Sequence, residues 1–132
     1  MSTIRTSPFL RFALLLDAVV SGATALLMVS LSSQLAGLLQ LPGALLFYAG
    51  AFLVPYAALL AYLSRRETLP RWTVWAVVLG NILWAADCTL LALSGWVAPS
   101  ALGYAFIAVQ AIAVVAFAEL QYVGMRRSPA AA

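Results

Sequence analysis

The segment Arg65-Arg66-Glu67-Thr68-Leu69-Pro70-Arg71 divides this chain into two apolar halves. It is the one cluster of charged residues in the sequence away from the two ends. The apolar stretches on either side are each long enough for helices of ~20 residues, the length that crosses a bilayer. The segment therefore predicts a polar loop between two membrane-spanning halves.

The composition favours a membrane domain over a soluble one. Hydrophobic residues make up 65% of the 132 residues and charged residues 8%, whereas a soluble domain carries ~25% charged residues. Because an open sheet leaves backbone groups unpaired in lipid, we expect helices and no strands. Residues 1–9 form a short N-terminus, and residues 124–132 are expected to be a disordered tail. The four predicted membrane helices cover about residues 10–31, 44–63, 72–93 and 101–123.

The predicted fold class is therefore all-α, an integral membrane four-helix bundle. The two halves also resemble each other, because Pro42-Gly43-Ala44-Leu45 recurs as Pro99-Ser100-Ala101-Leu102. A second match, between residues 62–66 and 122–127, needs one extra residue, and a third places Asp17 against Asn81. The registers differ by several residues, and low-complexity apolar sequence also produces such matches by chance. A parallel repeat of two helical hairpins stays open.

The distribution of basic residues predicts the orientation in the membrane. All seven basic residues are arginines that lie at the N-terminus, in the segment 64–71 or at the C-terminus: Arg5, Arg11, Arg65, Arg66, Arg71, Arg126 and Arg127. The connections 32–43 and 94–100 carry no charge. By the positive-inside rule, both termini and the central loop are cytoplasmic, in a cell inner or plasma membrane. Topology and anionic lipids thus explain the net charge of +3 without nucleic acid.

Missing residue types exclude several kinds of chemistry. The sequence has no His, so a His-ligated haem or an ordinary zinc or iron site is excluded, and it has no Lys for a Schiff base. The lone Cys88 permits no internal disulfide, and a thiol inside an apolar helix is usually an inert packing residue. We expect no cofactor, no metal site and no enzymatic activity. The expected partners are membrane lipids and either a second copy of the chain or another membrane protein.

Five polar residues inside the predicted helices are the candidate site, because polar groups in a bilayer are costly and often functional. They are Asp17, Asn81, Asp87, Gln110 and Glu119. Counting ~1.5 Å per residue from the nearest Arg places Asp17 and Glu119 in one layer, roughly 10 Å in. The same count places Asp87 and Gln110 together at roughly 24 Å, with Asn81 between the two layers. We therefore predict two polar layers joined by Asn81.

Helical spacing refines this prediction. Asp17, Ser21 and Thr24 follow one another at i, i+4 and i+7, so they form one polar stripe. Glu119 lies on a face of small residues suited to close helix contact: Ala101, Ala105, Ala108 and Ala116. Two carboxylates in one apolar layer could carry a proton. Alternatively, each acid pairs with a neighbouring hydroxyl or amide and simply holds helices together.

Three functions remain open from the sequence. The first is a membrane subunit or scaffold that binds partners or lipids through its helix faces. The chain is similar in helix count, length and its Ala98-Pro99 turn to the small four-helix scaffold proteins of sterol biosynthesis. That likeness is too general to transfer a function.

The second is a small proton-coupled transporter or channel. Four helices in a short chain resemble the small multidrug-resistance transporters. Their membrane carboxylate is a Glu in the first helix, where this chain has Asp17, and their dual-topology members need a weaker charge bias.

The third is an enzyme acting on a lipid, although the sequence carries no catalytic motif. A polar cluster open to a lipid-sized groove would favour an enzyme. A water-filled path from Asp17 to Asp87 would favour transport, and a dry, paired core would favour the scaffold.

Overall fold

Each long helix begins where the sequence supplies a cap or a proline. In the computed structural model, which describes residues 2–131, the Ser7 side chain accepts a hydrogen bond from a backbone N–H of the first helix, and Pro8 occupies its first turn. Ser100 caps the last helix in the same way. Pro42 and Pro70 stand immediately before the two other long helices. The helices are α1 Pro8–Ser30, α2 Ser32–Leu39, α3 Gly43–Arg65, α4 Arg71–Leu93 and α5 Ala101–Arg126.

Four of these helices, α1, α3, α4 and α5, are long and apolar enough to cross a membrane. They pack against one another, which confirms the predicted all-α helical bundle. Helix α2 differs from the prediction, which had only a connection between the first two spans. It is a short helix that ends at Leu39 and is followed by Gln40, whose backbone adopts the left-handed conformation at φ 55°. This residue turns the chain into α3.

The expectation of no strands is wrong. Strand β1, Thr3–Arg5, pairs antiparallel with β2, Thr68–Pro70, and Ile4 forms a further bridge to Ala130. The lipid argument excluded unpaired sheet edges only inside the bilayer, and these short strands lie outside the four long helices. Ile4 and Leu69 are 0% and 2% exposed because their side chains join the apolar core at this end.

The C-terminal residues also differ from the predicted disordered tail. Helix α5 continues to Arg126, and Ser128 is buried beside the start of α1. The Ser128 hydroxyl donates to the Gly124 carbonyl at 2.8 Å, and the Ser7 N–H donates to Ser128 Oγ at 3.2 Å. The first bond satisfies a carbonyl that the end of α5 would otherwise leave open, and the second joins the start of α1 to the C-terminal residues. Both described ends of the chain and the α3–α4 loop therefore form one structured cap on the bundle.

Small residues decide which helices approach closely. Helix α1 packs on both α3 and α5, and α4 packs on α5. A Cβ added to Gly50 of α3 would lie 2.7 Å from the Met28 Cβ of α1, and one added to Gly124 of α5 would lie 2.7 Å from the Leu10 Cα of α1. Glycine at these positions lets the backbones meet. Helices α3 and α4 instead face each other across larger side chains.

Candidate binding cleft and buried polar network

Asp17 is the centre of a buried hydrogen-bond network. Its side chain is 0% exposed and accepts three hydrogen bonds. The Ser21 hydroxyl donates to Oδ1 at 2.8 Å, while Asn81 Nδ2 and Gln121 Nε2 donate to Oδ2 at 2.9 and 2.7 Å. Because the buried carboxylate has several donors, its desolvation cost is offset by hydrogen bonds rather than by an ion pair.

Asn81 connects this network to the remaining long helices. Its Nδ2 also donates to Gln121 Oε1 at 2.9 Å, and its Oδ1 accepts from the Tyr56 hydroxyl at 3.0 Å. Asn81 and Gln121 are 2% and 0% exposed, so each amide depends on these partners. The network therefore joins α1, α3, α4 and α5 with every amide group used, and it fixes their relative rotation.

The sequence prediction paired Asp17 with Glu119, and the structure does not bring them together. Glu119 is exposed on the outer face of α5, in a shallow groove beside Ala116 and Thr89. Gln121 occupies the position beside Asp17 that was predicted for Glu119. The two residues face different sides of α5 because side chains two positions apart point about 200° apart around a helix. The prediction assumed that an acid in a membrane helix faces the protein, and it therefore assigned the inward side of α5 to Glu119 instead of Gln121.

Gln121 is the functional residue that sequence reasoning missed. A signal was present in the spacing of its neighbours along α5. Phe117, Ala118, Gln121, Gly124 and Met125 fall at i, i+1, i+4, i+7 and i+8, and all five are buried. That pattern marks the inward face of a helix, and Gln121 is the polar residue on it.

A cleft of ≈ 560 Å³ lies between α3 and α4, next to this network. Ser21, Tyr56 and Asn81 contribute to its lining, so one end of the cleft is formed by the outer members of the network. Its walls are mainly apolar and aromatic: Val20, Leu45, Phe52, Leu53, Leu83, Val109, Ala113, Val114 and Phe117. A mainly apolar cavity with a few polar groups is the usual form of a small-molecule site.

The cleft exists because large side chains separate α3 from α4. The rings of Phe52 and Trp84 stack across it with centroids 6.4 Å apart and an interplanar angle of 13°. The Trp84 indole N–H also donates to Gln110 Oε1 at 3.1 Å, which ties the ring to α5. Together with the hydrogen bond between Tyr56 and Asn81, these contacts keep α3 and α4 separated by the width of aromatic side chains.

Asp87 and Gln110, predicted to share a layer, both line this cleft. They also line a second cavity of ≈ 240 Å³ on the α2 side, and Trp84 faces both cavities as well. The Asp87 side chain is exposed rather than enclosed like Asp17. The five predicted residues therefore fall into three groups. Asp17 and Asn81 belong to the buried network. Asp87 and Gln110 line the cleft, and Glu119 faces away from both.

Searches against protein families, curated proteins and solved structures find no match to this chain.

Proposed function

We propose that this chain is a non-enzymatic, multi-pass membrane protein that binds a lipid or another apolar molecule in the cleft between α3 and α4. The observation that carries the proposal is the cleft itself, at ≈ 560 Å³. Its volume lies within the ~300–1,000 Å³ typical of small-molecule sites. Because its walls belong to helices long enough to span a bilayer, an apolar ligand could enter directly from lipid.

The buried network supports binding over catalysis or proton transport. Three of the hydroxyls that line the cleft, those of Ser21, Thr24 and Tyr56, donate their protons to Asp17, the Val20 carbonyl and Asn81, so none of the three stands ready as a nucleophile. Asp17 is fully buried and does not line the cleft. A transport mechanism through Asp17 needs a path for protons that this paired core does not offer.

The remaining parts of the proposal concern orientation and assembly. We propose that the arginine-bearing cap faces the cytoplasm at an inner or plasma membrane, on the strength of the charge distribution. We also propose a homo-oligomer or a membrane protein partner at the outer face of α5, which would remove Glu119 from lipid. The exposed small side chains of Ala105, Ala108 and Ala116 suit a close helix contact there.

The cleft can be tested by filling it. Ala113 of α5 lines the cleft, whereas Ala105 is exposed on the same helix and lines neither cavity. We expect purified protein in dodecyl maltoside micelles to show saturable energy transfer from tryptophan to diphenylhexatriene, an uncharged apolar fluorophore. Ala113→Phe should weaken this binding at least about tenfold, because a phenyl ring occupies the space of the ligand.

Ala105→Phe is the matched control, because it adds the same ring at an exposed position of α5 outside both cavities and should leave binding in the cleft unchanged. Equal binding by both variants would show that the fluorophore reports micelle partition, and the proposal would be rejected.

A further inference from the structure

We propose that the ligand of the cleft carries one positive charge, which Asp87 binds, so that the site takes an ammonium-bearing amphiphile. The apolar body of this molecule would lie along the cleft toward Asn81. The inference rests on the proposed function and adds the chemical class of the ligand.

Asp87 occupies a position from which its carboxylate can bind a ligand in the cleft. Its carboxylate is exposed where the ≈ 560 Å³ cleft meets the ≈ 240 Å³ cavity. Within residues 2–131, Asp87 takes part in no side-chain hydrogen bond or ion pair, in contrast to Asp17 with its three donors. A carboxylate in this setting gains more from a cation than one in water does, because the surroundings are apolar.

The basic residues of this chain cannot supply a cation to Asp87. All seven basic residues lie at the opposite end of the bundle. The nearest along α4 is Arg71, sixteen positions away, or about 24 Å along the helix axis. A second copy of the chain in the same orientation has the same distribution. A positive partner for Asp87 would therefore have to come from outside this chain, and we assign it to the ligand of the cleft.

Aromatic side chains line the same cleft as Asp87. Tyr48, Phe52 and Trp84 contribute to its walls, and Trp84 is three positions before Asp87 on α4. The faces of aromatic rings attract organic cations. The hydrogen bond from Trp84 to Gln110 and the stacking on Phe52 hold the indole in place before a ligand arrives. A fixed ring loses little conformational entropy on binding.

The length of the cleft sets the form of the ligand. Asn81 and Asp87 are six residues apart on α4, which corresponds to about 9 Å along the axis. Leu53, Val114 and Phe117 line the cleft with apolar surface. A zwitterionic phospholipid would bring a phosphate to an end of the bundle that has no arginine. A free cationic amphiphile satisfies both the carboxylate and the apolar wall.

A matched pair of fluorophores tests the charge separately from the cleft. Diphenylhexatriene and its trimethylammonium derivative share one apolar body and differ in the positive group. We expect the wild-type protein in dodecyl maltoside micelles to bind the cationic probe about tenfold more tightly than the neutral one. Asp87→Asn should abolish this preference, and Asp87→Glu, which retains the charge, should keep it.

Glu119→Gln is the control, because it removes an exposed acid of the same bundle that lies outside the cleft. It should leave the preference unchanged, which would separate Asp87 from a general effect of net charge. If the neutral probe binds but wild type and Asp87→Asn show the same preference, the cleft stands and the inference on charge is overturned. If neither probe binds above the Ala113→Phe background, both the proposed function and the inference fail.

Displacement of the cationic probe by phosphatidylethanolamine, but not by phosphatidylglycerol, would assign the site to a lipid headgroup. That result would overturn the proposal of a free cationic amphiphile.

Discussion

At the scale of single residues, Asp17 and Asp87 show how the surroundings of a side chain give the same residue type different roles. Asp17 is enclosed, with donors from three helices, so it gains its stability from hydrogen bonds inside the protein. Asp87 is exposed at the cleft. The first arrangement is typical of a structural network and the second of a binding group.

Substitution of Asp17 tests whether the network is structural. Asp17→Leu removes the acceptor of one N–H of the Asn81 amide and one of the Gln121 amide, and each buried N–H left without a partner costs about 1–3 kcal/mol. We expect a clear loss of stability, measured by circular dichroism as SDS is added to protein in dodecyl maltoside. Asp17→Asn should be much milder, because one oxygen still accepts from both amides and the Ser21 hydroxyl can reverse to accept a bond.

The control for this series is Glu67→Gln, which changes an exposed acid of the α3–α4 loop and should shift stability by less than about 0.5 kcal/mol. Equal destabilisation by Asp17→Asn and Asp17→Leu would contradict the hydrogen-bond arrangement described above.

At the scale of elements, the helix pairs are selected by where side chains are small. Glycines bring α1 against α3 and α5, whereas Phe52 and Trp84 keep α3 and α4 apart. The same sequence property therefore explains both the packed part of the bundle and the cleft. Two tyrosine–arginine pairs also repeat between the halves: Arg66 donates to Tyr62 at 2.8 Å and Arg126 to Tyr122 at 3.1 Å. They agree with the suggested repeat, which stays a prediction.

Two glycine-to-alanine substitutions separate packing from helix propensity. Gly124→Ala places a Cβ 2.7 Å from the Leu10 Cα, and such overpacking typically costs about 1–3 kcal/mol. Gly80→Ala in α4 meets nothing within 4 Å and should be neutral or stabilise the helix by up to about 1 kcal/mol. SDS titration of both variants measures the difference. Destabilisation of the two variants by the same amount would show that the close contact of α1 with α5 is not present.

At the scale of the whole molecule, the cap gives the bundle two chemically different ends. Residues 3–5, 68–70 and 129–131 are joined by backbone hydrogen bonds, so both termini and the central loop share one end. Helix α2 and the 94–100 connection lie at the other, which carries no arginine. Whichever side of a membrane the cap faces, all its segments face it together.

The orientation can be measured with single cysteines in a Cys88→Ser background. Ser33 of α2 and Glu67 of the α3–α4 loop are both exposed. We expect Ser33→Cys to react with a membrane-impermeant maleimide on intact cells and Glu67→Cys to react only after permeabilisation, as positive-inside orientation requires. The reverse labelling would overturn the proposed cytoplasmic position of the cap. A fluorescent maleimide that crosses the membrane serves as the control for expression.

The sequence by itself determined the number of long helices and their approximate ends. Both depend on local quantities, namely the length of apolar runs and the placement of proline and serine caps. It also predicted one depth for Asp87 and Gln110, because rise per residue is the same in every α-helix, and both residues line the cleft. The tertiary structure decided the rest: Gln121 rather than Glu119 beside Asp17, the strands of the cap and the cleft. These features depend on how each helix is rotated and which helices meet, and that is set by contacts between residues distant in sequence, such as Asp17 with Gln121.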